Sequence, residues 1–250
     1  MMTTYPKNFI TQVIARVDFE PILRLKQEAP FSFHEAIQEL YPRTDQAETV
    51  EFLLKAGEEP AAIKQPLSYI FLDKDKKDKI ELNFKSIVLT ASEYVKFDSF
   101  FSKIDFIYNK FNDIYQPNII KRIGLRFVNE IKLRGNPFEW EGYLNNNLHC
   151  ILNIFPDLRE SLSRAMAQMI VNLEGRRIIF NFGIFNSEFP NTIAQKEFIL
   201  DYDCACDEEC ESGLVLGKFR GFYDDIKSLF KQSRGEQLIK IMKGEINEGL

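Results

Sequence analysis

Arg16 and Arg126 are the residues whose surroundings most clearly call for chemistry. Each stands in a run otherwise rich in Val, Ile, Leu and Phe (ITQVIARVDF and KRIGLRFVNEIKL). In such a run a guanidinium must pair with a carboxylate or face a cavity. Arg122 and Lys121 add charge beside the second. One reading pairs each arginine with an Asp or Glu across a sheet. The other sets symmetry-related guanidinium groups along a cleft, where their forked donors suit an anionic ligand or a phosphate. On that second reading Arg16, Arg122 and Arg126 are the candidate ligand-binding residues.

The remaining chemistry-bearing residues are weaker. Cys204, Cys206 and Cys210, with Cys150 next to His149, offer thiolates and an imidazole, but C-x-C-x3-C is not a zinc-knuckle spacing and no second C-x2-C pair completes it. Strand alternation sets Cys204 and Cys206 on one face with Leu200 and Tyr202, as small core residues, and Asp201 and Asp203 on the other. A zinc role and a core role both stay open for the cysteines, and no metal ligand is assigned. Asp201 and Asp203, followed by Asp207, Glu208, Glu209 and Glu211, read as an acidic strand end rather than a magnesium site. The run GLVLGKF over 213–219 fails as a phosphate loop, because only three residues separate its glycines and Phe219 stands where Ser or Thr must hold magnesium. His34 reads as a surface residue. Adjacent strand residues point to opposite faces, which argues against a Cys150/His149 nucleophile. No catalytic residue and no cofactor is assigned.

These residues must be positioned by a folded, aromatic-rich chain. With 45% hydrophobic residues, 28% charged residues and 23 Phe in 250 residues, the composition is that of a globular domain rather than a disordered or collagenous one. The net charge of −5 argues against a general phosphate-binding surface, leaving room only for a local basic groove. No stretch reaches the roughly 18 apolar residues of a membrane span, residues 1–12 lack a signal-peptide pattern, and the cysteines are too few for a disulfide framework. The expectation is a cytoplasmic protein with no membrane partner.

Strands are predicted over 8–20, 51–56, 67–72, 80–90, 118–133, 161–173, 177–185 and 198–206, with 73–79 as a polar hairpin tip. A short helix over 31–40 has Ser32 and Glu35 in the capping-box arrangement. Apolar spacings of three and four predict long amphipathic helices over 94–115 and 218–230 and a short one over 237–242, and a short element is expected around 138–144.

The chain also resembles itself. Asn8 to Val17 aligns without gaps on Asn118 to Phe127, placing Arg16 on Arg126 at an offset of 110, and Phe97 to Tyr108 matches Phe219 to Phe230 at an offset of 122. The expected architecture is therefore α+β. It has a mostly antiparallel, curved sheet of about eight strands, from a duplicated β-α-β-β-β-α unit, with two long helices on one face. Residues 1–116 and 117–250 are the two pseudo-repeats of one compact domain, with a cleft between them.

The segments NFITQVIARVDFEP, RIGLRFVN over 122–129 and LDYD over 200–203 resemble a sporadically distributed bacterial family of uncharacterised proteins of about this length, along nearly the whole chain. The resemblance brings no activity or catalytic residue with it and does not extend to the cysteine cluster. Its patchy distribution implies defence-type gene neighbourhoods and a neighbouring protein partner. The first expectation is accordingly a non-enzymatic binding protein, the sensor or inhibitory component of a bacterial defence or toxin-control module. Two alternatives stand beside it. One is a module that binds a small anionic ligand or nucleotide in the cleft. The other is an RNA-binding or RNA-processing protein using Arg122, Arg126, Arg134, Arg176 and Arg177, against which the net charge counts.

Overall fold

A computed structural model describes residues 5–47, 50–53, 61–64 and 67–247. Its strands are β1 (Ile10–Phe19), β2 (Arg43–Ala47), β3 (Val50–Leu53), β4 (Ala61–Lys64), β5 (Ser68–Leu72), β6 (Asp78–Asn83), β7 (Ser86–Ala91), β8 (Ile120–Leu133), β9 (Ala165–Leu173), β10 (Arg176–Ile184) and β11 (Lys196–Cys206). The α-helices are α1 (Leu23–Gln27), α2 (Phe31–Ile37), α3 (Phe97–Tyr115), α4 (Asn146–His149), α5 (Val215–Ser233) and α6 (Glu236–Lys243).

The protein is α+β, built on one open antiparallel sheet of nine strands in the order β2-β5-β6-β7-β1-β8-β11-β10-β9, while β3 and β4 pair separately. At its centre β1 meets β8 with Ala15 opposite Leu125, Val13 opposite Phe127 and Val17 opposite Ile123. From that pair the order runs outwards as β7-β6-β5 on one side and β11-β10-β9 on the other, with β2 beyond β5.

Period-two alternation decides which face is covered. Val13, Ala15, Val17 and Phe19 of β1 are buried, as are Ile123, Leu125 and Phe127 of β8. The two long helices lie over this face. The ring of Phe111 in α3 sits 4.8 Å from that of Phe19, and α5 packs on β8 and β11. Phe19, Phe33, Phe111, Phe198 and Phe219 are almost fully enclosed, which accounts for the Phe-rich composition. The other face carries the alternate residues, among them Arg16, Asp18, Arg122, Arg126, Asp201 and Asp203.

Several expectations need correction. The segment 80–90 is two strands, β6 and β7, because Asn83 Oδ1 accepts hydrogen bonds from the backbone N–H groups of Lys85 and Ser86, both at 2.9 Å, and turns the chain. The capping box at Ser32 is not formed. Pro30 occupies the N-cap position, so Ser32 lies inside the first turn of α2. Residues 138–144 form turns held by isolated bridges. Of the strand read over 51–56, only the part up to Leu53 lies within the described residues. No helix among the described residues is long and apolar enough to cross a membrane.

Candidate functional site

A cavity of about 240 Å³ lies on the helix-covered face, between the first turn of α3 and the second half of α5. Ile10 of β1 and Phe127 and Asn129 of β8 supply its sheet side. Tyr94, Lys96 and Asp98 line it where the chain enters α3, and Tyr223, Lys227, Phe230 and Lys231 line it from α5. Tyr5, Asn8, Arg234 and Met242 close the end. The cavity is lined from β1 and α3 on one side and from β8 and α5 on the other.

Local sequence explains the lining. Tyr223, Lys227 and Lys231 follow one another at i, i+4 and i+8, so they share one flank of α5, while Ile226 turns into the core. Lys96 is the N-cap residue of α3 with extended backbone (φ −155°, ψ 157°), and its side chain caps nothing. The first-turn N–H groups therefore bring the positive end of a 19-residue helix to the cavity. Asn8 ties the N-terminal segment to this entry, its Nδ2 donating to Tyr94 O at 2.9 Å and its Oδ1 accepting from Ile10 N at 3.0 Å.

Phe97 stacks on Tyr223 with ring centroids 3.7 Å apart, and Tyr94 meets Phe127 edge-on at 5.4 Å. The hydroxyls of Tyr94 and Tyr223 influence each other electrostatically, and burial holds both phenols above the ordinary tyrosine range. Arg234 donates from Nη1 to Tyr5 Oη at 2.6 Å, with its guanidinium over the rings of Tyr5 and Phe230. Its Nε is buried and makes no hydrogen bond among the described residues. Asn129, 4% exposed, donates from Nδ2 to Leu200 O at 3.1 Å.

The charge of the lining is one-sided. Lys96, Lys227 and Lys231 form no ion pair among the described residues, and Asp98 is the one carboxylate in the lining. Four cations thus surround an aromatic-walled cavity with one acid to balance them.

The three arginines singled out from the sequence lie on the opposite face of the sheet, each beside a carboxylate. Arg16 Nε donates to Asp18 Oδ1 at 2.8 Å. Arg126 grips Asp201 with two hydrogen bonds of 2.7 and 2.8 Å, and Asn181 adds a third to that carboxylate at 3.0 Å. Arg122 Nε lies 3.1 Å from Asp207 Oδ1, and Arg177 reaches Oδ2 of the same residue at 2.9 Å. Arg176 is paired with Asp225. Arg126–Asp201 joins two strands, Arg16–Asp18 lies within β1 and Arg176–Asp225 joins β10 to α5; carboxylates engage four of the five arginines considered for RNA. Asp203 lies among Arg122, Arg126 and Arg177, and burial outweighs those cations in pushing its carboxyl up.

Cys204 and Cys206 are buried on the helix-covered face, opposite in direction to Asp201 and Asp203, as alternation requires. Burial pushes the Cys204 thiol up to about 12, and Lys218 Nζ lies 3.3 Å from Cys206 Sγ. Cys150 is exposed and remote in sequence from the other three. Among the described residues no group of three or more His, Cys, Asp and Glu side chains is gathered as metal ligands. His34 is not a simple surface residue. Its ring stacks on Phe71 at 5.6 Å, and its Nε2 is buried without a hydrogen bond among the described residues.

Sequence reasoning missed Lys96, Lys227, Lys231 and Arg234. The signal was the Tyr-Lys-Lys stripe along α5, which is legible once the helix is placed but looks like any solvated helix flank. Compared with protein-family models and with curated proteins, the chain matches none.

Proposed function

We propose that the protein is a binding module for a small anionic ligand carrying a planar or aromatic group, held in the cavity between α3 and α5. The observation behind this reading is the unbalanced charge of the lining. Lys96, Lys227, Lys231 and Arg234 have no carboxylate partner among the described residues, whereas Arg16, Arg122, Arg126 and Arg177 of the opposite face do. An uncompensated cluster of cations over aromatic walls attracts an anion and offers rings for stacking. A phosphate or carboxylate would sit at the start of α3 against Lys96 and the first-turn N–H groups, and Asn129 Oδ1 would accept from a donor on the ligand. Duplication belongs to the same reading. It accounts for the matched strand order about the β1–β8 pair and for a single cleft bounded by the leading end of one long helix and the trailing half of the other.

Native mass spectrometry of the protein purified from its own host tests this. A retained anion that is lost on the double substitution Lys227→Glu and Lys231→Glu supports the reading, as does binding of adenosine monophosphate by the wild type alone. Wild-type protein that carries no small molecule and binds no aromatic monophosphate or carboxylate overturns it.

The expectation of a cytoplasmic protein that acts through a partner protein, as a sensor or inhibitory component of a bacterial module, is a second proposal. What favours a protein contact is the apolar outer edge of the sheet at β9, where Met166, Met169, Ile170, Val171 and Leu173 are all exposed.

A further inference from the structure

We infer that the outer edge of β9 pairs antiparallel with β9 of a second copy of this chain. The inference narrows the second proposal above to a particular partner and is independent of the ligand proposal. Among the described residues β9 has β10 as its only neighbour in the sheet. Along its nine residues, alternate N–H and C=O groups therefore point to an unpaired side.

Such an edge is usually guarded by charge, proline or shortness. The opposite edge strand, β2, has five residues and carries Arg43 and Asp45. β9, with the sequence AMAQMIVNL, has no charged residue and no proline. Its apolar side chains are exposed on both faces, Met169 and Val171 on the helix side and Met166 and Ile170 on the other.

The residues that bracket the strand say what covers it. Arg164 comes immediately before β9 and Glu174 immediately after, and both are exposed; Arg164 Nε donates to Phe185 O at 2.7 Å and its guanidinium lies 4.1 Å from the rings of Phe185 and Phe189, so its terminal nitrogens are the donors for an ion pair. When two identical strands pair antiparallel about Met169, Gln168 falls opposite the second copy's Ile170, and Ala167 falls opposite its Val171. In that register Arg164 falls opposite its Glu174. The twofold repeats each pairing, so the contact closes with two ion pairs at its ends and neutral residues between. Within one chain Arg164 and Glu174 stand at opposite ends of a strand about 30 Å long and cannot reach each other. A foreign strand of arbitrary charge would not find both ends matched.

The test is the solution mass of the full chain, by light scattering on a sizing column across a concentration series. The expected result is a species of twice the chain mass of 29.2 kDa. Ile170→Lys should return it to monomer with an unchanged far-ultraviolet spectrum. Arg164→Glu and Glu174→Arg should each weaken self-association by about tenfold or more. The double exchange Arg164→Glu with Glu174→Arg should restore it, which a fold defect cannot do. A monomer at every concentration overturns the inference, even where a foreign protein co-purifies. So does a dimer indifferent to Ile170→Lys and to the single reversals. Ligand binding by these variants, measured separately, should match the wild type.

Discussion

Phe97, the first residue of α3, lies flat on Tyr223 in the middle of α5, with centroids 3.7 Å apart and ring planes within 1° of parallel. The stack joins the helix that closes the first half of the chain to the one that closes the second, and it walls the cavity. Phe97 is 4% exposed, so Phe97→Ala removes a buried ring and leaves a hole between the helices. The expected loss is about 3 kcal/mol of unfolding free energy by urea titration. Tyr223→Phe keeps the stack and removes only a hydroxyl, and should cost about 1 kcal/mol or less. Similar losses for the two variants would mean that the stack contributes little.

Asp78 makes stability depend on pH in an unusual direction. It sits 4% exposed at the start of β6, with Lys103 Nζ 2.5 Å from Oδ2 and with Oδ1 making no hydrogen bond among the described residues. Tyr41, Asp73 and Glu93 also face it. Burial raises its carboxyl above the ordinary 3.8, and the attraction of Lys103 only partly offsets this. A carboxyl whose folded-state value is raised binds its proton more tightly folded than unfolded. Its contribution is thus present below the ordinary value and falls away as pH rises through the interval above it. Asp78→Asn should remove that decline. As pH rises above the ordinary carboxylate value, the variant should lose less unfolding free energy than the wild type. Equal slopes for the two proteins would count against it.

The parts of the fold that were legible in the sequence are those where one physical demand dominates. The strand β1 and the core of β8 stand out because a strand buried at the centre of a sheet must be rich in Val, Ile and Phe, and α3 because its apolar stripe runs for five turns. The β6–β7 hairpin looks like one strand in the sequence because its turn contains no glycine or proline. Asn83 alone makes it, through two backbone hydrogen bonds. The site was less legible. Tyr5, Tyr94, Asn129, Lys227 and Met242 are scattered along the chain and acquire a common purpose only when the helices are packed. Arg16 and Arg126 drew attention instead, because a charge in an apolar run is conspicuous whether it binds a ligand or, as here, lies beside Asp18 or Asp201.

The four cysteines should separate by burial. Cys150 is exposed, Cys210 partly covered, and Cys204 and Cys206 are enclosed. Burial raises the Cys204 and Cys210 thiols and so depresses the reactive thiolate at neutral pH. With Ellman's reagent at about pH 8, one thiol per folded chain should react quickly, a second slowly, and all four only in denaturant. Rapid reaction of three would mean that the end of β11 is open in solution.

Arg126 decides between the two faces of the sheet as the place where a ligand binds. Its guanidinium is 42% exposed, but the Asp201 carboxylate it holds is 6% exposed. In Arg126→Ala that buried carboxylate keeps only the hydrogen bond from Asn181 Nδ2 among its described side-chain partners. Leaving a buried charge without its counter-ion is costly, and the variant should lose about 2 kcal/mol of unfolding free energy by urea titration. Replacing both partners, as in Arg126→Met with Asp201→Leu, removes the stranded charge and should recover much of that loss. Ligand retention should follow the other face. Arg126→Ala, once shown to be folded, should keep whatever small anion the wild type carries, whereas Lys227→Glu with Lys231→Glu should lose it. The opposite pattern would move the binding site to the arginine face and leave the cavity between the helices as a packing feature.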